Sequence, residues 1–311
     1  SLKTKIPPMP PLDQKISDVS QSPDLIHQTL HPLIGAENVS EIYIDNYIDS
    51  LTIHNPDSAL WGQVNRIFPI KACLRVIYGF IADTFVDGYS DIRNFHKRSD
   101  IGEYFASVGN MYAEYDKISK RSKGTKISTG FPTGDQYKLE KSIARFISHY
   151  CFNIRTDNFV EGALAKMNFI KIIKVDGVGR KIGITEAGYK FAKLHNPVLD
   201  GEISDLSNPQ LQTLSNEEID YLLNHFTEFY PAELDTMKQL LNNIADGAIT
   251  PVGLKNSMEE FLDIGLSRNA LGTMVNGLVS RCAELFLLNK KKNGLNVTFH
   301  LTQNGKSLIG N

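Results

Sequence analysis

The chain has 311 residues, of which 41% are hydrophobic and 22% charged, a composition typical of globular proteins with room for about two domains. No apolar run approaches the roughly 18 residues of a membrane span, and no basic-then-apolar leader is visible, so we expect no membrane partner. Cys73, Cys151 and Cys282 lie far apart in apolar runs. This spacing indicates buried free thiols and a cytoplasmic protein, not a disulfide scaffold or a metal site.

Charge is divided unevenly along the chain, although the formal net charge is only −2. Residues 65–199 hold 22 Lys and Arg against 13 Asp and Glu, a balance of +9, which leaves −11 for the remainder. Residues 200–235 contain nine acidic residues and no Lys or Arg. Regions of opposite charge usually meet different partners, so we expect a polyanion to approach residues 65–199 and to avoid residues 200–235.

The first half of the chain is predicted to be mainly helical. Residues 1–21 are polar and rich in proline, which favours a flexible N-terminal arm, and residues 22–64 are expected to form a helical extension. Apolar residues at helical spacing predict helices over residues 68–85, 99–123 and 137–150. A loop rich in glycine, hydroxyl groups and proline is expected between the last two helices.

A β-hairpin is predicted after a further short helix. Residues 156–168 favour a helix with Thr156 as its N-cap, and residues 169–175 form an apolar run with lysines interspersed, typical of a strand. An Asp-Gly turn signal and a return strand over residues 181–185 follow. The glycines of this segment resemble a dinucleotide loop only superficially, because that loop must lead into a helix and here a β-type segment follows.

The same order of elements recurs near the C-terminus, which indicates an internal repeat. Residues 267–285 predict an amphipathic helix, residues 286–290 a strand, and residues 297–302 a return strand after an Asn-Gly turn. The two hairpin exits align as Ile184-Thr185-Glu186-Ala187-Gly188 and Leu301-Thr302-Gln303-Asn304-Gly305.

A helix, a hairpin with a basic tip and a Thr-x-x-Gly exit resemble the second half of a winged-helix domain. The resemblance covers residues 68–194, with a long insertion between the helices, and residues 215–309. It implies a mainly α fold with small β-hairpins (α+β) and tandem winged-helix domains, a basic one at residues 65–199 and another at residues 215–311, joined by an acidic linker at residues 200–214. In this family the third helix usually enters the major groove of DNA and the hairpin, or wing, follows the backbone or minor groove, although many members bind protein.

We expect three groups of basic residues within residues 65–199 to contact phosphates. They lie at the loop before the helix at residues 137–150, on one face of that helix, and around the first hairpin. The candidate nucleic-acid-binding residues are Lys117, Lys120, Arg121, Lys123, Lys126, Lys138, Lys141, Arg145, Arg155, Asn158, Lys171, Lys174, Arg180 and Lys181. Such contacts release counterions, so binding should weaken steeply with salt.

Two features of this assignment leave alternatives open. The outer face of the helix predicted at residues 157–168 carries Asp157, Asn158, Glu161, Ala165 and Lys166, and its two acids would resist phosphate, so a helix that only closes the core is an equal alternative. The second domain offers Arg268, Asn269, Thr273, Asn276, Arg281, Lys290, Lys291 and Lys292. Because acids of residues 200–235 begin this domain, we expect it to make a further DNA contact or to dock on the first domain, another protein or a second copy of the chain.

No catalytic motif emerges from the sequence. HExxH, GxSxG and Walker patterns are absent, and no catalytic residue, metal ligand or cofactor is predicted. The leading hypothesis is a double-stranded DNA-binding protein, either a transcription regulator or the DNA-recognition part of a restriction or other DNA-processing system. The alternative is a protein–protein interaction subunit of a larger assembly.

Overall fold

The computed structural model describes residues 35–84, 88–92, 98–122, 124–133, 136–262 and 265–310, without the side chains of residues 82–84, 98–100 and 136–138. Over these residues the protein is mainly helical with small antiparallel β-sheets, so the predicted fold class is confirmed at this level. The N-terminal arm at residues 1–21 lies outside the described residues. Residues 35–64 form one short 3-10 turn, Ala36–Asn38, and are otherwise irregular, so the prediction of a helical extension is wrong for this part.

The first half of the described chain is built around the apolar helix α1. The helices are α1 Phe68–Thr84, α2 Arg98–Ile118, α3 Gln136–Phe146, α4 Ala163–Lys166 and α5 Glu186–Lys193. The strands are β1 Tyr89–Asp91, β2 Asn153–Ile154, β3 Val160–Glu161, β4 Ile170–Val175 and β5 Gly179–Ile184. β1, β5 and β4 form one antiparallel sheet in that order, and β2 and β3 form a separate small hairpin.

The second half is a run of helices that ends in one hairpin. The helices are α6 Asn216–Phe229, α7 Pro231–Ala245, α8 Pro251–Glu259, α9 Arg268–Glu284 and α10 Gln303–Ile309, and the strands are β6 Leu288–Asn293 and β7 Asn296–Leu301. Sequence signals fix the helix starts. Ser215 and Glu218 form a capping box at α6, and Ser267 caps α9 by accepting the N–H of Ala270.

The helix predicted at residues 156–168 is not formed. The β2–β3 hairpin occupies most of this segment, and α4 supplies a single helical turn. Backbone conformation explains the difference, because Asn158 has a φ of 69° and Gly162 a φ of 109°, both outside the right-handed helical region. As a consequence Ala165 and Lys166, predicted to face outward, are buried.

A wider helical turn places two thiols side by side. α3 ends at Phe146, four residues before its predicted end, and the chain continues into a π-helical turn over Ile147–Cys151. The Cys151 Sγ lies 2.8 Å from the Sγ of Cys73 on α1. Both cysteines and Cys282 are buried and unbridged, which confirms the prediction of buried free thiols.

The two hairpin exits are built from the same hydrogen bonds, so the internal repeat predicted from the sequence is present in the structure. Equivalent residues are Thr185 and Thr302, Gly188 and Gly305, Asn168 and Phe286, and Phe169 and Leu287. In both copies the threonine hydroxyl accepts the N–H of the glycine and donates to a carbonyl before the first strand. The residue bearing that carbonyl has a positive φ in both copies, 54° and 55°.

The correspondence extends to a third strand. In the first sheet Ser90 of β1 lies opposite Ile182 of β5. In the second, the Phe299 N–H donates to the Ile249 carbonyl at 2.8 Å, so the segment after α7 occupies the position of β1. Phe299 follows Ile182 by 117 positions, the offset that also relates the two capping threonines.

We therefore describe two structural units, a first unit at residues 68–193 and a second unit at residues 231–309. Each runs from a helix through a short segment that pairs with the hairpin (β1 in the first unit, the residues around Ile249 in the second) to further helices, the hairpin and a closing helix. The units differ before the hairpin, where the second has the continuous helix α9 and the first has α3, the inserted β2–β3 hairpin and the single turn α4. Met167 N–H donates to Ala163 carbonyl and Leu285 N–H to Arg281 carbonyl, so α4 corresponds to the last turn of α9.

Seven charged residues with buried side chains form an ionic seam, which joins α1 to residues 200–218 and the chain just before α1 to the second unit. The ionic seam consists of Lys71, Arg75, Asp200, Glu218, Glu233, Arg281 and Glu284. Lys71 Nζ lies 2.8 Å from Glu218 Oε1, and both side chains are fully buried. Arg75 Nη2 donates to Asp200 Oδ2 at 2.7 Å. Both pairs connect α1 to residues of the predicted acidic region.

The remaining seam residues hold the segment that precedes α1. Arg281 Nε lies 2.6 Å from Glu233 Oε1, and the other oxygen of that carboxylate accepts the Leu60 N–H at 2.8 Å. Glu284 accepts the N–H groups of Ile67 and Phe68. Residues 60–68 are therefore fastened to the second unit through backbone groups that would otherwise be buried without partners.

Part of the acidic region at residues 200–235 belongs to the ionic seam and does not face solvent. Three of the nine acids at residues 200–235, Asp200, Glu218 and Glu233, are inside the protein and face cations. The predicted linker is docked as well, because Asp200 pairs with Arg75 and Leu206 is buried. Part of the charge asymmetry along the chain is therefore cancelled internally.

Replacing Glu233 by Gln should strongly destabilise the fold. The change leaves the Arg281 guanidinium buried without a counter-charge, and loss of one partner of such a pair costs about 3–5 kcal/mol. Urea unfolding at neutral pH measures the effect. Glu217→Gln, on the exposed side of α6, is the matched control and should change the unfolding free energy by under about 0.5 kcal/mol. Equal changes in unfolding free energy for the two variants would contradict the buried Glu233–Arg281 pair.

Gly305 and Gly272 should respond oppositely to replacement by Ala. A Cβ on Gly305 would lie 2.0 Å from the Leu287 carbonyl oxygen, so Gly305→Ala should cost about 1–3 kcal/mol through overpacking. A Cβ on Gly272, inside α9, meets no described atom within 4 Å, so Gly272→Ala should add about 0.5–1 kcal/mol by improving the helix. Thermal unfolding of the two variants distinguishes the signs. If Gly305→Ala stabilises the protein, the close approach of Gly305 to the Leu287 carbonyl is refuted.

Candidate nucleic-acid interface

Some of the predicted cations meet beside the first hairpin. Arg180 of β5 donates to the side-chain oxygen of Asn158, which lies in the β2–β3 turn. Lys174 of β4 is opposite Arg180 in the strand register. The tip of the first hairpin and the inserted β2–β3 hairpin therefore share one surface, which brings together three residues predicted from the sequence.

Acidic side chains lie among the cations of this first surface. Arg155 forms ion pairs with Glu161 at 3.2 Å and with Asp157 at 3.3 Å. Burial lowers the pKa of His149, Glu161 opposes that shift, and Arg145 adds to it, which places the end of α3 near the same glutamate. A phosphate approaching Arg155 would have to displace or tolerate two carboxylates.

The other two lysines of the first hairpin face the opposite side of the sheet. The register places Lys171 opposite Gly183 and Lys181 opposite Ile173, so both lysines share the face that Lys174 does not occupy. Lys181 lies next to Asp91 of β1 in the sheet. Burial lowers the pKa of Lys171, and Asp49 opposes the shift. The four hairpin cations are thus divided between two faces.

The loop group of predicted cations is only partly accessible. Lys117 is exposed and forms an ion pair with Glu114 at 2.6 Å, Lys120 is exposed, and Lys126 is half-buried. Lys123 lies outside the described residues, as does the side chain of Lys138 on α3.

Arg121 is a structural residue, which corrects its assignment as a phosphate contact. It is 6% exposed, and its guanidinium donates to the carbonyls of Asn208 and Leu211. Its Nε lies 3.6 Å from Asp116 Oδ1. Asp116 in turn accepts the N–H of Ile127 at 2.8 Å, so the pair fixes the loop after α2.

The loop group and the end of α3 lie at opposite ends of α2. A Cβ on Gly102 would be 2.2 Å from Ile143 Cγ2, so the end of α3 packs on the start of α2. Lys117 is fifteen residues further along α2, about 22 Å at 1.5 Å per residue. Exposed Lys141 and Arg145 belong to the α3 end. The loop group and the α3 group of predicted cations are therefore separated along α2.

A second surface is formed by α9 and β6 in the second unit, and we call it the α9–β6 surface. It consists of Asn269, Thr273, Asn276 and Ser280 on the outer side of α9 and of Lys290 and Lys292 on one face of β6, with Lys291 between them on the other face. Helical spacing places the four polar residues on one stripe. Lys290 Nζ lies 3.1 Å from Ser280 Oγ, so the hairpin cations begin where the stripe ends. Arg281, suggested for this surface from the sequence, is buried in the ionic seam instead.

Arg66 connects the loop group to the α9–β6 surface. Its Nη2 donates to the Lys126 carbonyl at 3.1 Å. Partial burial of the Lys290 ammonium lowers its pKa, and the nearby Arg66 adds to that shift. Arg66 is itself buried and lies 3.9 Å from Glu284, so it joins the loop backbone to the ionic seam beside Lys290 and adds no cation to the surface.

A local sequence signal marks this surface, because residues 285–311 contain four lysines and no Asp or Glu. The acids at residues 200–235 obscured this signal, although they precede the hairpin and three of them are buried. Both hairpins have a net charge of +3, at residues 170–184 and 288–301, but only the second is free of acids.

Comparison with known protein families, with curated proteins and with solved structures finds no match to this chain. No helix among the described residues is both long and apolar enough to cross a membrane. The described residues also contain no group of three His, Cys, Asp or Glu side chains that could hold a metal ion. The function of this protein must therefore be inferred from the chemistry of its surface.

Replacing Arg121 by Gln should lower stability, whereas replacing its exposed neighbour Lys120 by Gln should not. Arg121→Gln leaves buried Asp116 without its cation and frees several buried carbonyls, an expected cost of about 3–5 kcal/mol. Lys120→Gln should stay within about 0.5 kcal/mol. Urea unfolding of both variants checks the assignment. If the Arg121→Gln variant is as stable as the wild type, Arg121 has no structural role and its assignment as a phosphate contact stands.

Proposed function

We propose that the protein binds double-stranded DNA, with the α9–β6 surface as its principal contact, and that both units are winged-helix domains. The observation that carries the proposal is the juxtaposition at the C-terminus: a helix with an uncharged polar stripe stands beside a hairpin strand bearing three consecutive lysines. Transcription regulation and the recognition step of a restriction or other DNA-processing system both use this chemistry.

The order of elements supports the winged-helix assignment. Each unit has a first helix, a short strand, two further helical segments and a hairpin whose second strand pairs with that short strand. In the second unit α9 is long and continuous, and its outer stripe is free of charge along Asn269, Thr273 and Asn276. In the first unit the corresponding helix is interrupted before α4. Major-groove reading is therefore assigned to the second unit.

The helix and the hairpin strand of the α9–β6 surface would make different kinds of contact with DNA. Asparagine side chains pair well with the edge of adenine, so Asn269 and Asn276 suit contacts to bases. Lys291 and Lys292 suit phosphates, which fix the position of the protein but carry little sequence information.

The first unit has features that also fit a protein partner. Its hairpin cations are split between two faces, and Arg155 is already paired with two carboxylates. Docking of a protein with mixed charges on this surface is the alternative role, and it is compatible with DNA binding by the second unit.

Binding to duplex DNA should depend strongly on salt, and Lys292 should account for part of that dependence. Each lysine that neutralises a phosphate contributes a slope of about 0.9 in log affinity against log salt, so Lys292→Gln should reduce the slope by about that amount. Fluorescence anisotropy with a labelled duplex at several salt concentrations measures it. Lys190→Gln is the control, because Lys190 lies on α5 in an ion pair with Glu186. No binding by the wild-type protein, or equal slopes for the two variants, would contradict the proposed surface.

Asn276→Ala should reduce sequence preference while leaving the salt slope unchanged. A lost base contact costs about 1–3 kcal/mol on the preferred sequence and little on others. The measurement compares a duplex selected by the wild-type protein from a random pool with an unselected duplex. Equal losses on both duplexes would show that Asn276 does not read bases.

A further inference from the structure

Both hairpins carry an exposed aliphatic side chain at their tips. Leu295, at the β6–β7 turn, is 99% exposed, and Val178, at the β4–β5 turn, is 48% exposed. The two residues are 117 positions apart, so they are equivalent in the repeat. A single exposed apolar side chain is common on protein surfaces, but exposed aliphatic side chains at the equivalent position of both hairpins point to a shared use outside the folded chain.

The backbone of each tip presents this side chain outward. Gly294 precedes Leu295 with a φ of 62°, and Gly177 precedes Val178 with a φ of 73°. A Cβ on either glycine would have no described neighbour within 4 Å, so the tips stand clear of the described body of the protein. Positive φ is accessible to glycine at little cost, which makes a narrow turn with one projecting side chain.

The surroundings of Leu295 favour a polyanionic partner with a narrow apolar cleft. Lys291 and Lys292 precede the tip on β6, and residues 285–311 contain no acid. An uncharged protein groove would have to desolvate or accommodate these lysines. The minor groove of DNA is about 6 Å wide and lies between two phosphate rows, so it can accept one aliphatic side chain while the lysines contact phosphates.

We propose that Leu295 acts as an apolar wedge in the minor groove, partly unstacking a base step and bending the duplex, with Val178 as the smaller equivalent on the first unit. This inference depends on the proposed DNA binding and adds a mode of contact to it. Proteins that insert Leu or similar side chains between base steps kink DNA by roughly 20–90°, most readily at flexible pyrimidine–purine steps.

The test measures bending and unstacking separately from affinity. A duplex of about 25 base pairs carries a fluorescence energy-transfer pair at its ends, and a second duplex carries 2-aminopurine at a TA step. The wild-type protein should shorten the end-to-end distance and raise 2-aminopurine fluorescence. Leu295→Ala should abolish both signals and weaken binding about tenfold, since burial of the leucine side chain is lost, while the salt slope stays unchanged.

Val252→Ala is the matched control, because Val252 on α8 is 70% exposed but lies away from the hairpin tips. It should retain the bend and the affinity of the wild type. If the wild-type protein binds no duplex, the proposed function fails and the wedge with it. If the wild-type protein binds and Leu295→Ala still bends DNA as well as Val252→Ala does, DNA binding stands and the wedge is refuted. The wedge is also refuted if Leu295→Ala still bends DNA but no longer binds anionic vesicles or a protein partner that the wild-type protein binds.

Discussion

The arrangement of this protein depends on the ionic seam, a set of charges that folding removes from water between the two units. Buried ion pairs gain little over apolar packing, but losing one partner is costly, so they favour one specific mutual arrangement. Lys71 and Arg75 on α1 pair with Glu218 and Asp200, and Arg281 on α9 pairs with Glu233. Glu284 on α9 also accepts the N–H groups of Ile67 and Phe68, which fixes α9 relative to the start of α1.

The ionic seam also explains why net charge counted over stretches of sequence does not predict surface charge in this protein. The contrast between residues 65–199 and 200–235 is real, but part of it consists of charges that meet inside the protein in the Lys71–Glu218 and Arg75–Asp200 pairs. A linear count cannot distinguish an acid facing solvent from one facing a buried arginine, because that distinction is made by tertiary contacts. The useful charge signal is local, on a single hairpin strand with its side chains in water.

The sequence predicted elements with strong local signals and failed where tertiary contacts decide. Capping residues, the Asp-Gly and Asn-Gly turns and the two Thr-x-x-Gly exits predicted helix starts, hairpins and the repeat, since each is a bond between near neighbours. The segment at residues 156–168 has the apolar spacing of a helix, but Asn158 and Gly162 adopt positive φ and the chain pairs as β2–β3. Arg121 and Arg281 look like surface cations in sequence, and only the fold shows the carbonyls and carboxylates around them.

The irregular chain before α1 touches both units. Ile44 pairs with Thr185 at the end of the first hairpin, and Leu60 is bound by Glu233 of the second unit. The second unit is therefore not an independent module. Grafted onto another scaffold without residues 60–68, it would lack the backbone N–H groups that Glu233 and Glu284 accept, so a transplant must carry the segment before α1 with it.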